Sequence, residues 1–383
     1  MKFRKALCIL PLVTAMAATN AEETTFSYGG FIKLDALVTD YSDGTLGAQN
    51  LGRDFYIPSL TPIGGVDEGA QFDFHARQTR FFFATETKLE SGDSIKTKIE
   101  FDFMVNPIGN ERISNSYAPR MRHAFITYKN WLFGQTWSTF QDVGALPEAV
   151  DFIGPTDGTT FARQAMVRYS KDGFSIAIEN PETTVTPNGG GGRIVADDSS
   201  VPDIAANYKF ALDNGSYMKV SAISRQLSYS NLSTGGSIDS STNAFGVSFS
   251  GRMNFGKDNL KFMLTNGSGL GRYIALNAAN DAVITDTGAL DAIDSTSGFV
   301  AWYHPWGNGW RSTFSYSFLD VDNNIALTGA GVTDSSETLR ANLFYSPEPK
   351  LSFGIEYSNS SRENAGGADG DMNRLQFAAK YAF

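Results

Sequence analysis

In the stretch IKTKIEFDF (residues 95–103), Ile95, Thr97, Ile99, Phe101 and Phe103 share one parity, and Lys96, Lys98, Glu100 and Asp102 share the other. A period of two marks a β-strand with one apolar and one polar face. The pattern is already present in FSYGGFIKLDALV, where Ile32, Leu34, Ala36 and Val38 oppose Lys33 and Asp35, and it recurs as far as MNRLQFAAKYAF at the end of the chain. One opening strand, seven hairpins and one closing strand make sixteen. Their connections alternate between turns of about two to six residues, rich in Gly, Asn, Asp and Pro, and polar or acidic loops of about 12 to 30 residues. A soluble sandwich has no reason to sort its loops in this way. A closed transmembrane barrel does, with tight turns on the periplasmic side and long loops outside.

Bulk hydropathy hides this reading, because the mean is −0.21. Beyond the first few dozen residues, charged or polar groups interrupt every window of ~20, so no spanning helix is available. Strands of ~9–11 tilted residues suffice. The apolar face then meets lipid and the Lys/Glu/Asp face a wet interior, which sixteen strands leave open. Trp131, Trp302, Trp306, Trp310, Tyr128, Tyr169, Tyr208, Tyr217 and Tyr345 all lie beside short turns, where an interfacial aromatic girdle belongs. Phe383 ends the last strand on its outward parity, after Leu375, Phe377, Ala379 and Tyr381. The fold predicted is an all-β, 16-stranded antiparallel transmembrane β-barrel acting as a porin-type channel in the bacterial outer membrane.

The first residues read as an address. MKFRK is a basic head, ALCILPLVTAMA an apolar core and ATNA a small-residue cleavage site, so residues 1–21 are expected to be a signal peptide and 22–383 the barrel. The sole cysteine, Cys8, lies mid-core in that segment, which argues against lipidation and leaves no disulfide. Losing Lys2, Arg4 and Lys5 moves the net charge from −10 to −13, so nucleic acid is not an expected partner.

Inward parity assigns the pore lining strand by strand. Arg80, Lys96, Lys98, Arg120, Arg122, Arg168, Arg311, Arg340 and Arg374 are the candidate pore-lining or solute-binding residues, joined by Lys209, Lys219, Arg225, Lys261 and Lys380. Glu86, Glu100, Asp102 and Glu356 are the inward acids; most surplus acid is expected in loops, including Asp281, Asp286, Asp291 and Asp294. Arg/Lys-rich rings favour anions, and the guanidinium fork suits carboxylates. The expected solutes are small anions, carboxylates first; the alternatives are a weakly selective general porin, and a plugged barrel with an adhesin or structural role. Arg77, Arg80 and Arg163 do not keep one parity with their neighbours, which calls for a bulge or a position above the lipid belt.

The loop at 138–160, STFQDVGALPEAVDFIGPTDGTT, is more apolar than its siblings, with Phe140, Val143, Leu146, Val150, Phe152 and Ile153. Folding it into the barrel buries these residues and brings Glu148, Asp151 and Asp157 to a constriction. The segments RQTRFFFATETKLESGDSIKTKIEFDF, RMRHAFITYKNWLFGQTWSTF and PEAVDFIGPTDGTTFARQAMVRYS resemble the DcaP-like family of trimeric outer-membrane porins, most strongly over residues 71–170. That resemblance implies a homotrimer and uptake of dicarboxylic acids through an arginine-lined pore. On this chain it points to Arg80, Arg120, Arg122 and Arg168, with the loop after GQTWSTF as the constriction. Lipid and lipopolysaccharide are the other expected partners.

No cofactor or metal is expected. NGSGLGR lacks the last glycine of a dinucleotide fingerprint, and DVDNN lacks the glycine and glutamate of a calcium loop. His75, His123 and His304 fall in separate hairpins without ligand spacing. His123 shares parity with Met121 and Phe125 and is expected to face outward, which argues against a barrel-borne hydrolase. The chain is therefore not expected to be an enzyme.

Overall fold

The backbone in lipid must pair all its polar groups within the protein, and this chain does so by closing a sheet on itself. A computed structural model describes residues 23–105, 109, 112–233 and 236–383; the expected signal segment lies outside the described residues. The barrel strands are β1 (Thr24–Tyr41), β2 (Arg80–Lys88), β3 (Ser94–Asp102), β4 (Arg120–Tyr128), β5 (Trp131–Trp137), β6 (Arg163–Lys171), β7 (Phe174–Glu179) and β8 (Asp203–Ala211). They continue as β9 (Tyr217–Ser233), β10 (Gly236–Phe255), β11 (Asp258–Ser268), β12 (Asp294–Gly307), β13 (Trp310–Asp322), β14 (Thr333–Glu348), β15 (Leu351–Asn364) and β16 (Asp369–Ala382). Each pairs antiparallel with the next, and β16 returns to β1 through the register Phe31↔Ala382 to Tyr41↔Met372.

Tight turns set the register at the short-turn rim. Between β6 and β7, Asp172 and Gly173 both take positive φ (51° and 85°), the backbone of a two-residue hairpin whose twist matches its strands. At the other rim the wall is uneven. Strands β2–β8 span six to nine residues, whereas β9–β16 span eleven to twenty. The connection expected as a long loop after β9 is instead a hairpin, with β9 and β10 paired from Tyr217↔Arg252 to Ser233↔Gly236. Gln71–His75 pairs with β1 above β2 and is separated from it by residues 76–79, the break in the wall that Arg77 required.

Outward parity is apolar as read: Ile32, Phe83, Ile99, Trp131, Val300 and Tyr381 are all exposed to the surroundings of the barrel. Three positions differ. The register shifts between Glu100 and Phe101, so that Phe101 opposes Met121 and Glu100 opposes His123, with Arg122 as the extra residue. The bulge turns Arg122 and His123 inward together, and beyond it Phe125 also points inward, against Leu132, Met166 and Ala177. Tyr217 is buried as well and donates to Asp142 Oδ2 at 3.1 Å, so it does not belong to the girdle.

The loops fill part of the interior. Those after β7 and β11 build a four-stranded sheet from Ile194–Ala196, Thr183–Thr186, Ala282–Ile284 and Leu290–Ala292, which packs Val185, Ala282 and Ile284 on Leu227 and Ala244. Asp281, one of the acids expected in a loop, is fully buried there and pairs with Arg225 at 2.7 Å. The prediction that follows concerns the lipid face. Ile99→Arg, near the middle of β3, should cost about 2–4 kcal/mol in reversible refolding into liposomes, whereas Lys96→Ala on the inner face should change stability by less than about 0.5 kcal/mol.

Candidate functional site: a loop-narrowed lumen with an arginine wall

The segment 138–162 enters the lumen and is clamped by the inner wall in strand order. Asn207 of β8 donates to Thr139 O (2.6 Å) and Lys219 of β9 to Gln141 O (2.7 Å). Ser250 of β10 donates to Asp142 Oδ2 (2.8 Å) and Lys261 of β11 to Leu146 O (2.6 Å). Arg311 of β13 grips Glu148 through two bonds of 2.7 Å, and Asn342 of β14 donates to Glu148 O (3.0 Å). Glu356 of β15 accepts from Val150 N (3.0 Å) and Asp151 N (3.2 Å), and Lys33 of β1 donates to Val150 O (2.5 Å). The return path passes so close to β12 that a Cβ on Gly158 would lie 2.0 Å from Gly298 O. With Thr139 N also donating to Glu179 of β7 (2.7 Å), the loop covers the wall from β7 round to β1 and leaves that of β2–β6.

On the uncovered wall, the side chains from β2, β3, β4 and β6 form one charged cluster. Arg120 holds Asp102 in a bidentate pair (2.9 and 2.8 Å), and Arg122 bridges Glu100 (2.9 Å) and Asp102 (2.6 Å). Lys98 reaches Glu100 at 2.8 Å, while Arg80 stands farther off, 3.6 Å from Glu100 and 3.9 Å from Asp102. Among the described residues Arg163 has no carboxylate partner; its guanidinium stacks 4.6 Å from the Trp137 ring, and its Nη1 makes no hydrogen bond to any of them. Among the described residues five cations thus surround two carboxylates, a surplus of three positive charges. Phe152 on the loop faces this wall, its ring 5.9 Å from the Arg120 guanidinium and 5.7 Å from that of Arg122.

The sequence-derived candidates separate into groups. Arg80, Lys98, Arg120 and Arg122 meet in the cluster, and the first three keep side-chain exposures of 24%, 32% and 23%. Lys96 lies near the short-turn rim and pairs with Glu86 at 3.2 Å. Arg168 lies lower on β6 and donates to Trp137 O at 3.4 Å. Arg311 is on the covered side. Arg340 and Arg374 depart from expectation: both face inward but are buried, Arg340 against Glu356 (3.1 Å), Arg374 against Thr39 (2.8 Å) and Gly52 O (2.6 Å). They brace loops rather than line open space.

The loop acids are also turned toward protein. Asp157 accepts from Ser317, Ser336 and the Tyr56 hydroxyl (2.8, 2.7 and 2.8 Å), and burial, aided by Asp157, pushes the Tyr56 phenol well up so that it remains a donor. Asp151 accepts from Tyr56 N, Ile153 N and Gly154 N. Burial alone would raise the Asp151 carboxyl, but the Arg340 charge and these N–H donors hold it below its ordinary range. Trp137 and Phe152 were not among the expected site residues; no parity rule marks an aromatic that stacks on a cation. Above the cluster, Phe55, Met104 and Ile153 pack with Phe152 and Leu276, joining four loops in an apolar contact.

Two outcomes follow. Glu356→Ala removes the acceptor for two loop N–H groups and the carboxylate that Arg340 contacts at 3.1 Å, so it should free the loop at a cost of about 3–5 kcal/mol and raise single-channel conductance. The depressed Asp151 contributes stability above its unfolded value near ~3.9 and loses it as pH falls through the lower folded value. Hydrogen exchange at 150–157 should therefore be flat from neutral pH to about 5, after correction for intrinsic rates, and show lost protection only in stronger acid.

Comparison with known proteins agrees with this architecture. The crystal structure of the outer membrane channel DcaP of Acinetobacter baumannii superposes with a TM-score of 0.76 at 19% identity, covering 96% of this chain and 100% of that one. The trimer form of OmpT, an in-vitro-folded outer membrane protein of Vibrio cholerae, gives 0.53 at 11% identity over 94% and 99%. Salmonella typhi OmpF in complex with daunomycin gives 0.53 at 13% over 92% and 97%. A comparison with curated proteins found no match. The DcaP outer membrane protein family matches residues 68–383, well over half of the chain, and the protein is a β-barrel of the bacterial outer membrane that belongs to that family.

Proposed function

We propose that the protein is a passive diffusion channel for small anionic solutes, carboxylates and dicarboxylates first. The observation that carries this reading is the uncovered wall, where, among the described residues, Arg80, Lys98, Arg120, Arg122 and Arg163 outnumber Glu100 and Asp102 and Arg163 has no anionic partner. A solute carboxylate entering there gains the fork geometry of a guanidinium without displacing a protein carboxylate. Glu148 and Asp157, loop acids that would repel it, are engaged with the opposite wall.

The working unit in this reading is a homotrimer in lipid and lipopolysaccharide, for which the trimer form of the matched Vibrio cholerae protein is support. Catalysis is not part of it. His123 lies 3.0 Å from Thr136 Oγ1 and 3.8 Å from Glu100, but Thr136 is buried and Glu100 is committed to Arg122 and Lys98. A second reading, a barrel plugged for a structural or adhesin role, is favoured by the apolar contact of Phe55, Met104, Ile153 and Leu276 above the cluster.

Conductance in a planar bilayer under a KCl gradient separates them. The expected result is ion flow in triplet steps with a reversal potential of the sign set by chloride. Arg163→Ala should lower anion preference about two- to four-fold, the effect of one charge at ~5 Å in a wet lumen. A cation-selective potential would overturn the anion assignment, and the absence of conductance would establish the plugged barrel.

A further inference from the structure

Outside the lumen, an Asp–His hydrogen-bonded pair sits on the face that meets lipid. Asp258, at the start of β11, places Oδ1 2.7 Å from His304 Nδ1 and accepts from Trp302 Nε1 at Oδ2 (3.2 Å). The His304 ring lies between two indoles, with centroids 5.5 Å from Trp302 and 4.3 Å from Trp306, and both indoles are exposed on the outer wall. Asp258 follows the two-residue turn 256–257, so the pair lies at the periplasmic boundary of the membrane. An ionisable group facing lipid calls for a reason, even at the boundary, where it costs little.

Beside it the wall is grooved. Trp302 pairs with Phe314, Phe314 with Ala341 and Ala341 with Tyr357, all on the outward face. A methyl between two large rings leaves a depression of about 640 Å³, walled by Val300, Trp302, Phe314, Leu339, Ala341 and Tyr357. Trp302 belongs both to this apolar groove and to the carboxylate at its end, so the two features form one amphipathic seat.

We propose that this seat binds an inner-leaflet phospholipid with a primary-ammonium headgroup, the ammonium against Asp258 and one acyl chain over Ala341. A carboxylate offers about four acceptor directions, and Trp302 and His304 take two. The remaining acceptor directions of the Asp258 carboxylate are the negative end of the seat, beside the exposed Trp302 and Trp306. A primary ammonium can donate hydrogen bonds to Asp258, whereas a trimethylated one cannot. Lys257, exposed in the same turn, places a positive charge beside the lipid phosphate. This assignment is independent of which solute crosses the lumen.

The test uses the full mature chain refolded in vesicles of equal phosphatidylethanolamine, phosphatidylcholine and phosphatidylglycerol, followed by mild extraction and mass spectrometry of co-purifying lipid. Wild-type protein should retain phosphatidylethanolamine over each competitor by about two- to five-fold, the span of a partly screened ion pair. Asp258→Asn should abolish that preference, and Ala341→Leu, which fills the groove, should lower total retained lipid while leaving conductance unchanged. Equal retention of the three lipids by wild-type protein, or an unchanged preference in Asp258→Asn, would overturn the proposal. Disulfide cross-linking of Ala341→Cys between chains would overturn it as well, since a second copy would then cover the groove.

Discussion

An unpaired peptide group in hydrocarbon has no water to turn to, and that deficit organises the molecule. It requires β16 to find β1, from Phe31↔Ala382 to Tyr41↔Met372, and it leaves side-chain parity as the only freedom at most wall positions. The exception at Arg122 is instructive. One extra residue opposite β3 delivers Arg122 and His123 to the interior in succession, and the adjoining ladder from Ile95↔Tyr128 to Glu100↔His123 stays intact. A cation-dense inner surface is thereby gained with a single interruption between those two strands.

Once the wall is closed, its inner face does two different jobs with the same residue types. From β8 round to β1, lysines, asparagines and arginines are consumed in holding segment 138–162, and Arg340 and Arg374 are sealed behind loops. Across β2–β6 the cations meet too few acids to be neutralised, and Arg163 rests on an indole instead. Burial and partner count, not residue identity, separate a brace from a group left open to the lumen.

That distinction explains how far the sequence could be read. Alternation made all sixteen strands legible, because lipid on one side and water on the other impose a period of two that no soluble core shares over so many segments. The inward fold of the loop was legible from Phe140, Val150, Phe152 and Ile153, which a solvent loop would not carry. The roles of individual arginines were not. Arg120 and Arg340 have equivalent local patterns, and only the path of a loop two hundred residues away in sequence buries the second. His123, Phe125 and Tyr217 escaped because a one-residue register shift, or a partner such as Asp142, leaves no mark on local periodicity. Asp281 lies in a loop as read, but its burial against Arg225 left no local mark, because that partner lies on a distant strand.

The clamp on the loop also bears on how such a barrel is made safely. The bonds from Val150 and Asp151 to Glu356 span 206 and 205 residues, and contacts of that separation form late, after the strands between them have been placed. A half-inserted wall therefore has neither its narrowing nor its full set of braces. The narrowing thus depends on a strand near the far end of the chain, and it cannot be complete before β15 stands opposite the loop.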